Sequence, residues 1–264
     1  MRHQHSIIWL LAVALLAFGC GDKKPTVSLA KQQEAQSHYD MALAYMQAEK
    51  PSQALEELEK AVEANPYDPN IHNALGLVYY HKERFDKAEL AYLKAVELDP
   101  KHSDAQHNLG TLYLYLGQFD QAVSRFNEAL SVDTYRNQAN SMNALGWAYF
   151  KKQDYVRAEQ YFKDVIERDR RYLIAYDNLA KVYMATGRID DAIAQLTLAL
   201  EIQPLHPESN LDMGICRLRQ KDQAKAREYF LKVVQVDPLG KMGQQAQEYL
   251  NLLDVGGADG RTSP

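Results

Sequence analysis

The feature that most constrains this chain is a set of small residues that recurs at a nearly constant interval. Large apolar or aromatic side chains flank each of them at fixed offsets. Successive members are separated by 34, 34, 36, 34 and 34 residues. The small positions are Ala42, Gly76, Gly110, Gly146, Ala180 and Gly214. A period of this length predicts six copies of one supersecondary unit.

A second set of positions follows each small position at fixed distances. An alanine stands twelve residues later in all six repeats, and a bulky side chain stands four residues beyond the alanine. A small residue on one helix and an alanine on the next allow close approach, while bulky side chains fill the space around the contact. Each repeat is therefore predicted to be a pair of packed α-helices. The bulky residues are Leu58, Tyr92, Phe126, Phe162, Leu196 and Phe230.

Prolines mark the ends of most repeats. In four repeats a proline stands 24 residues after the small position, where it should stop the second helix and turn the chain into the next unit. Repeats 3 and 4 have Thr134 and Arg170 there, so weaker stops are predicted for them. The two extra residues after repeat 3, near residues 135–137, predict a longer turn. The prolines are Pro66, Pro100, Pro204 and Pro238.

This arrangement resembles the tetratricopeptide repeat (TPR), and the resemblance covers residues 35–238. It implies an all-α fold, a right-handed superhelical solenoid of six TPR helix-turn-helix repeats plus a C-terminal capping helix. The end of such a solenoid must be covered, and residues 239–254 have apolar side chains at helical spacing, which predicts the capping helix. Residues 255–264 are predicted to be a flexible tail. Cys216 stands among apolar residues and is predicted to be a small buried hydrophobe.

The TPR resemblance also implies a concave groove lined by the first helix of each repeat. The residues predicted to face it stand three residues before, one residue after and four residues after the small position. Aromatic side chains there would supply buried area, and the amides of Asn73 and Asn143 would bond the backbone of an extended or helical peptide. Trp147 is the best candidate for a hot spot, with packing between repeats as its alternative role. The predicted partner-binding residues are Asn73, Leu77, Tyr80, His107, Leu114, Asn143, Trp147, Phe150, Asp177 and Lys181.

Two limits on this groove follow from the same register. Leu211, Ile215 and Leu218 of the last repeat are expected to lie under the capping helix. Only Lys151 and Lys181 are clear groove cations, whereas TPR domains that bind chaperone tails resemble one another in a ring of Lys, Arg and Asn. A chaperone-tail receptor is therefore not expected.

The sequence has no pattern typical of an enzyme. A Walker loop, a dinucleotide-binding glycine pattern and a His-Glu-x-x-His segment are absent, so no catalytic residue, cofactor or small-molecule substrate is predicted. His102, Asp104 and His107 lack the usual spacing of metal ligands and are interpreted as solvated surface, so no metal is predicted. With 30 Lys+Arg against 35 Asp+Glu, the net charge of −5 gives no general attraction to nucleic acid.

Residues 1–19 are predicted to be a lipoprotein signal peptide. The apolar run 7–18 follows the basic Arg2 and is shorter than the ~20 residues that span a bilayer. Residues 16–20, Leu-Ala-Phe-Gly-Cys, resemble a lipobox, which implies cleavage before Cys20 and its modification with diacylglycerol and fatty acid such as palmitate. An ordinary secretory signal with an incidental cysteine is the alternative. Residues 20–34 are predicted to form the lipidated cysteine and a tether.

The combination of lipobox, short tether and six repeats resembles the outer-membrane pilotin lipoproteins of type IV pilus systems. Gly21 follows the cysteine, where an aspartate is associated with inner-membrane retention, so the resemblance implies the outer membrane. It further implies a non-enzymatic scaffold that binds secretin subunits and assists their delivery or multimerisation. The alternatives are a TPR adaptor for cell-envelope enzymes such as peptidoglycan hydrolases, or for outer-membrane or exopolysaccharide-export machinery. In each case the partner is a protein, and the lipid provides the membrane contact.

Overall fold

The computed structural model describes residues 26–259, with side chains described through residue 255. The predicted signal peptide, the lipidation site Cys20 and residues 260–264 lie outside this range. Within it every regular element is an α-helix, as the repeat pattern predicts. The helices are α1 (Leu29–Gln47), α2 (Pro51–Ala64), α3 (Pro69–His81), α4 (Phe85–Leu98), α5 (Ser103–Tyr115), α6 (Phe119–Leu130), α7 (Gln138–Lys151), α8 (Tyr155–Arg168), α9 (Leu173–Ala185), α10 (Ile189–Ile202), α11 (Pro207–Arg219), α12 (Gln223–Val236) and α13 (Lys241–Asp259).

The helices stack as a solenoid of six pairs. The two helices of each repeat pack on one another, and the first helix of each repeat also contacts the first helix of the next. One core extends from Ala88 of α4 to Cys216 of α11, so the repeats share their apolar interior. Cys216 is fully buried, as predicted. Helix α13 packs against α11 and α12, which confirms the capping helix.

The small position fits against the bulky residue sixteen positions later. A Cβ atom added at Gly110 would lie only 2.8 Å from the ring of Phe126, so a larger residue would displace that ring. Where the small position is alanine instead of glycine, the bulky residue is leucine instead of an aromatic residue. A smaller side chain on the first helix is thus matched by a larger side chain on the second, and a larger one by a smaller one. The glycine repeats have Tyr92, Phe126, Phe162 or Phe230, and the alanine repeats have Leu58 or Leu196.

Each turn inside a repeat contains one residue in the left-handed region, seven residues after the small position. Only two of the six are glycines, although this conformation costs other residues roughly 1–2 kcal/mol. Helix packing therefore imposes the turn, and a local glycine is not required. The residues, with φ from 54° to 78°, are Glu49, Glu83, Gly117, Gln153, Gly187 and Lys221.

The junctions between successive units have a regular length with one exception. Residues 65–68, 99–102, 169–172, 203–206 and 237–240 form four-residue junctions. The junction after repeat 3 comprises residues 131–137, because two residues are inserted there and α6 ends at Leu130, two residues earlier in register than the other second helices. The predicted longer turn is confirmed.

The weaker stop predicted at Arg170 is wrong. Helix α8 ends at Arg168, in the same register as the second helices that precede a proline. The Asp169 carboxylate accepts a hydrogen bond from the backbone N–H of Arg171 at 2.9 Å, and this local turn ends the helix without a proline. Asp99 makes the same bond to the N–H of Lys101 at 3.0 Å.

The first and last helices are longer than the sequence predicts. Helix α1 begins at Leu29, so residues 29–34 of the predicted tether are helical, and the Ser28 side chain accepts a bond from the Lys31 N–H at its start. Helix α13 continues to Asp259, beyond the predicted end at residue 254. No helix within residues 26–259 combines the length and the apolar character needed to cross a membrane.

Candidate functional site

Helices α3, α5, α7, α9 and α11 lie side by side and present one common face, which we call the groove face. It is formed by the residues at the three predicted register positions of each repeat. Nine of the ten predicted binding residues are half-buried there, and the tenth, Asp177, is only 1% exposed. The half-buried residues are Asn73, Leu77, Tyr80, His107, Leu114, Asn143, Trp147, Phe150 and Lys181.

Repeat 4 contributes an aromatic cluster to this face. The rings of Trp147 and Phe150 stack with centroids 4.8 Å apart and an angle of 9° between their planes. Tyr155 meets Phe150 edge-on at 5.6 Å, and the Lys151 ammonium lies 4.8 Å from the Trp147 ring centre. These mutual contacts hold the rings in place, so a bound chain would meet an ordered surface.

A second aromatic cluster joins repeats 2 and 3. Phe85 packs against Tyr115 with centroids 4.8 Å apart, and Tyr80 lies 5.8 Å from Phe85 and 6.0 Å from Tyr115. Sequence reasoning found Tyr80 but missed Phe85 and Tyr115, of which Tyr115 is 61% exposed. The missed signal is an aromatic residue nine positions after the small position, at Phe85 and again at Tyr155. These residues begin the second helix and cover the end of the first.

The amides predicted to bind a peptide backbone are already partly engaged. Asn108 donates to the Asn73 side-chain oxygen at 2.9 Å, and Asn178 donates to that of Asn143 at 3.0 Å. Each bond joins the first helices of neighbouring repeats. The amide NH₂ groups of Asn73 and Asn143 donate to no other described residue, so they remain as donors for a bound chain.

His107 connects repeats 3 and 4. Its Nδ1 lies 2.8 Å from the Ser141 hydroxyl, and its ring packs 5.5 Å from that of Phe126. Burial lowers the pKa of His107, an effect that the nearby Asp104 carboxylate opposes. His107 is thus a structural contact between repeats with one edge towards the groove face.

Asp177 and Lys181 belong to an ionic cluster between repeats 5 and 6. The Lys181 ammonium lies 2.6 Å from Glu208 and 3.2 Å from Asp212. Burial favours a lower pKa for Lys181, but the Asp212 and Glu208 carboxylates outweigh it and the pKa is raised. Asp177 is buried beside His206 instead of facing a ligand, contrary to its predicted role. Its position in the register is correct, but α11 covers it.

The same cluster contains the residue types of a catalytic triad in an arrangement that does not serve catalysis. Ser209 is fully buried, and its hydroxyl donates to Asp177 at 2.6 Å, while its oxygen lies 2.9 Å from Nδ1 of His206, the same ring nitrogen that faces Asp177. A triad needs the serine proton on the imidazole and an accessible serine oxygen. Asp177, His206 and Ser209 therefore do not form a nucleophilic site.

The last repeat is closed by the capping helix. Leu211 is buried with Leu250 of α13, and Ile215 and Leu218 pack against the same cluster. The expectation that α13 covers these residues is confirmed. The accessible groove face therefore extends from Asn73 to Lys181.

Comparisons with known proteins agree with this architecture. Models of the tetratricopeptide repeat match residues 39–103, 103–171, 149–208 and 208–239, which together extend from repeat 1 to the end of repeat 6. Among curated proteins, the Hsp70-Hsp90 organising protein of Plasmodium falciparum is 24% identical over 111 residues, 42% of this chain and 44% of that protein. The chain spans less than half the length of the curated relatives that it matches.

Two solved structures resemble nearly the whole described array. Pseudomonas aeruginosa pilF superposes with a TM-score of 0.72 at 20% identity, covering 83% of this chain and 99% of that one. PilW, a widely conserved type IV pilus biogenesis factor, superposes with a TM-score of 0.76 at 20% identity, covering 81% of this chain and 99% of that one. At such identities the likeness establishes a common fold.

Proposed function

The chain belongs to the tetratricopeptide repeat family of protein–protein interaction scaffolds, and from this premise we propose that it is an outer-membrane lipoprotein that assists secretin assembly in type IV pilus biogenesis. The observation that carries the proposal is its likeness to pilF and PilW along 99% of both structures. The six repeats and their capping helix account for residues 29–259 of this chain. No described segment is left over for a second activity.

The proposed anchor is the lipidated Cys20. It stands nine residues before α1 begins at Leu29, so the chain between them reaches at most about 30 Å. An anchor of this length would keep the start of repeat 1 within about 30 Å of the membrane surface. Stable insertion needs two or more acyl chains, as the lipobox resemblance implies.

The groove face is proposed to bind an extended or helical segment of the partner. The Trp147–Phe150 stack and the cluster of Tyr80, Phe85 and Tyr115 offer two aromatic contact areas, and the free amide donors of Asn73 and Asn143 stand in the repeats that contribute them. Apolar anchors beside a few directional donors suit a peptide with spaced aliphatic or aromatic side chains.

The cations of the groove face argue against binding of an acidic chain end. Lys181 is paired with Glu208 and Asp212, and Lys151 lies over the Trp147 ring. A clamp for a terminal carboxylate needs cations that are free to donate. The partial likeness to the Hsp70-Hsp90 organising protein therefore supports a common repeat fold and not a common ligand.

Deleting the gene tests this function. We expect the heat-resistant secretin multimers of the envelope to disappear on gels and to return with the wild-type gene. Trp147→Ala should restore them only weakly, because it removes the largest ring of the groove face. The matched control is Tyr229→Ala, since Tyr229 of α12 pairs with Lys232 at 4.7 Å much as Trp147 pairs with Lys151, but on a second helix. Normal multimers without the gene would favour an adaptor for envelope enzymes instead.

A binding measurement separates the groove face from other surfaces. Trp147 is the only tryptophan within residues 26–259, since the other is Trp9. Its emission should shift when a secretin segment binds, and Trp147→Ala should weaken binding by more than about tenfold, the usual effect of a hot spot. An unchanged spectrum at saturation would exclude Trp147 from the interface.

A further inference from the structure

The ionic cluster between repeats 5 and 6 has a charge that its own residues do not balance. It contains three carboxylates, Asp177, Glu208 and Asp212, and one ammonium, Lys181. Asp177 is 1% exposed and Asp212 is 8% exposed, so water screens neither well. Counted without His206, the three carboxylates and the one ammonium carry a formal charge of −2, which one divalent cation would neutralise.

The hydrogen bonds around Asp177 leave one of its oxygens without a donor. Oδ1 accepts the Ser209 hydroxyl at 2.6 Å. Oδ2 is buried, has no hydrogen-bond partner and lies 3.2 Å from Nδ1 of His206. The Ser209 proton is committed to Asp177, and Nδ1 of His206 lies 2.9 Å from the Ser209 hydroxyl oxygen and 3.4 Å from the Ser209 backbone nitrogen. Either a proton on Nδ1 or a cation between the two atoms would give this buried oxygen an electropositive partner.

The spacing of these atoms matches the requirements of a metal ion. Tetrahedral ligands at zinc distances of 2.0–2.2 Å stand roughly 3.4 Å from one another. The gap of 3.2 Å between Oδ2 of Asp177 and Nδ1 of His206 is close to that value. A carboxylate oxygen of Glu208 completes a group whose ligand atoms lie within 4.8 Å of one another. Glu208 is the most exposed of the three and can close the remaining distance by rotation.

The geometry points to a binding site for a divalent transition-metal ion such as Zn²⁺. The site is formed by Asp177 of α9 and by His206 and Glu208 at the start of α11. One imidazole nitrogen and two carboxylate oxygens are ligands that zinc accepts, and the fourth position remains for water. The ion joins repeat 5 to repeat 6 and balances the charge of the cluster. Lys181 keeps its contact with Asp212 and gives up part of its contact with Glu208, and the single lone pair of His206 Nδ1 turns from the Ser209 backbone N–H to the ion.

The junction between repeats 2 and 3 provides an internal comparison. Asn73, His102 and Asp104 occupy the same register positions as Asp177, His206 and Glu208. The first of these is an amide instead of a carboxylate, and Nε2 of His102 lies 3.1 Å from the Asn70 side-chain oxygen. Both histidines accept a backbone N–H at the start of their helix. The buried carboxylate is thus the feature that distinguishes the junction with the proposed site.

The test is a calorimetric titration of the full chain, purified in detergent and freed of metal with EDTA, using zinc chloride as the probe. We expect one ion per chain. Asp177→Asn, which keeps the acceptor for Ser209, and Glu208→Gln, which alters a partly exposed residue, should each weaken binding by more than tenfold. His102→Ala should leave it unchanged, and so should Cys216→Ala, which excludes the buried thiol as the ligand. Binding of Co²⁺ should give visible absorption bands that Glu208→Gln abolishes.

Lys181→Met separates a metal site from a network of ion pairs. Removing the ammonium leaves Glu208 free, so zinc should bind several-fold more tightly. If the wild type binds no zinc, or if both Asp177→Asn and Glu208→Gln bind it like the wild type, the proposal is overturned. The cluster is then an ion-pair network centred on Lys181 and a protonated His206. These outcomes do not depend on the partner of the groove face.

Discussion

Two junctions of this solenoid lack the proline found at the others, and they differ from each other. The junction between repeats 4 and 5, residues 169–172, has the regular four residues. The junction between repeats 3 and 4, residues 131–137, has seven. The loss of proline is common to both, so it cannot be the cause of the irregular length.

The difference lies in one buried side chain at the start of the next helix. Tyr176 donates its hydroxyl to the Arg170 carbonyl at 3.1 Å. At the corresponding position of the longer junction stands Met142, which has no donor. In three of the four proline-containing junctions the same position holds a donor to the proline carbonyl, and in the fourth, residues 237–240, Gln244 donates to the Leu239 carbonyl instead. The three donors are His72 to Pro66, Gln106 to Pro100 and Asn210 to Pro204. The regular four-residue junction is therefore found where a side chain of the next helix donates to a carbonyl of the loop, whether or not the junction contains a proline.

The largest effect is expected from Tyr176→Phe. The variant removes the donor to the Arg170 carbonyl inside an almost fully buried contact, so the free energy of unfolding should fall by about 1.5 kcal/mol. Urea unfolding followed by circular dichroism measures it. Met142→Leu is the matched control at the corresponding position and should cost clearly less, since volume-conserving changes are tolerated. Equal losses in the two variants would show that the hydroxyl has no role in the junction.

A smaller effect is expected from Asp169→Ala. The variant removes the acceptor of the Arg171 N–H, an exposed local bond worth about 0.5–1 kcal/mol. Asp133→Ala in the longer junction should change stability little, because no backbone N–H donates to that carboxylate among the described residues. Thermal unfolding of both variants provides the comparison. If Asp133→Ala lowered the thermal stability more than Asp169→Ala, our explanation of how α8 ends would be wrong.

The smallest effect is a pH dependence at the longer junction. His107 faces Ser141 of α7 and the Phe126 ring of α6, with Asp104 on its own helix and the Tyr135 phenol behind Ser141. Burial lowers its pKa from 6.5, so the unfolded chain binds a proton at a higher pH than the folded chain. Stability should therefore fall as the pH decreases from about 7 through the region below 6.5. His107→Gln should flatten this slope, and exposed His81→Gln should not.

The repeat architecture could be predicted almost entirely from sequence, and the junctions could not. The 34-residue spacing sets the register of every helix pair, because the contact between small and bulky residues recurs in each copy. The end of α8 depends instead on Asp169 and Tyr176, whose bonds form only once the loop is folded. The donors His72, Gln106, Tyr176 and Asn210, each four residues before a small position, were visible in the sequence, but their acceptors, backbone carbonyls, have no sequence signal.

The register of the repeats predicted which residues lie on the groove face, but it did not predict their hydrogen bonds and ion pairs. Asn73, Trp147 and Phe150 stand where the spacing puts them. The engagement of the Asn73 oxygen by Asn108, and of Lys181 by Glu208 and Asp212, depends on pairs that are about one repeat apart. Asn73 and Asn108 stand at adjacent register positions of successive copies, so aligning the repeats as columns would have indicated that pair, but the partners of Lys181 stand at more distant register positions. The burial of Asp177 additionally requires knowledge of how α11 lies over α9.

The buried Cys216 has a consequence for the redox chemistry of this chain. It is fully shielded, and burial raises the pKa of its thiol to about 11, so almost no reactive thiolate exists at neutral pH. Oxidising enzymes and small disulfides attack through the thiolate form. In an oxidising compartment the Cys216 thiol of the folded chain should therefore form neither a mixed disulfide nor a covalent dimer.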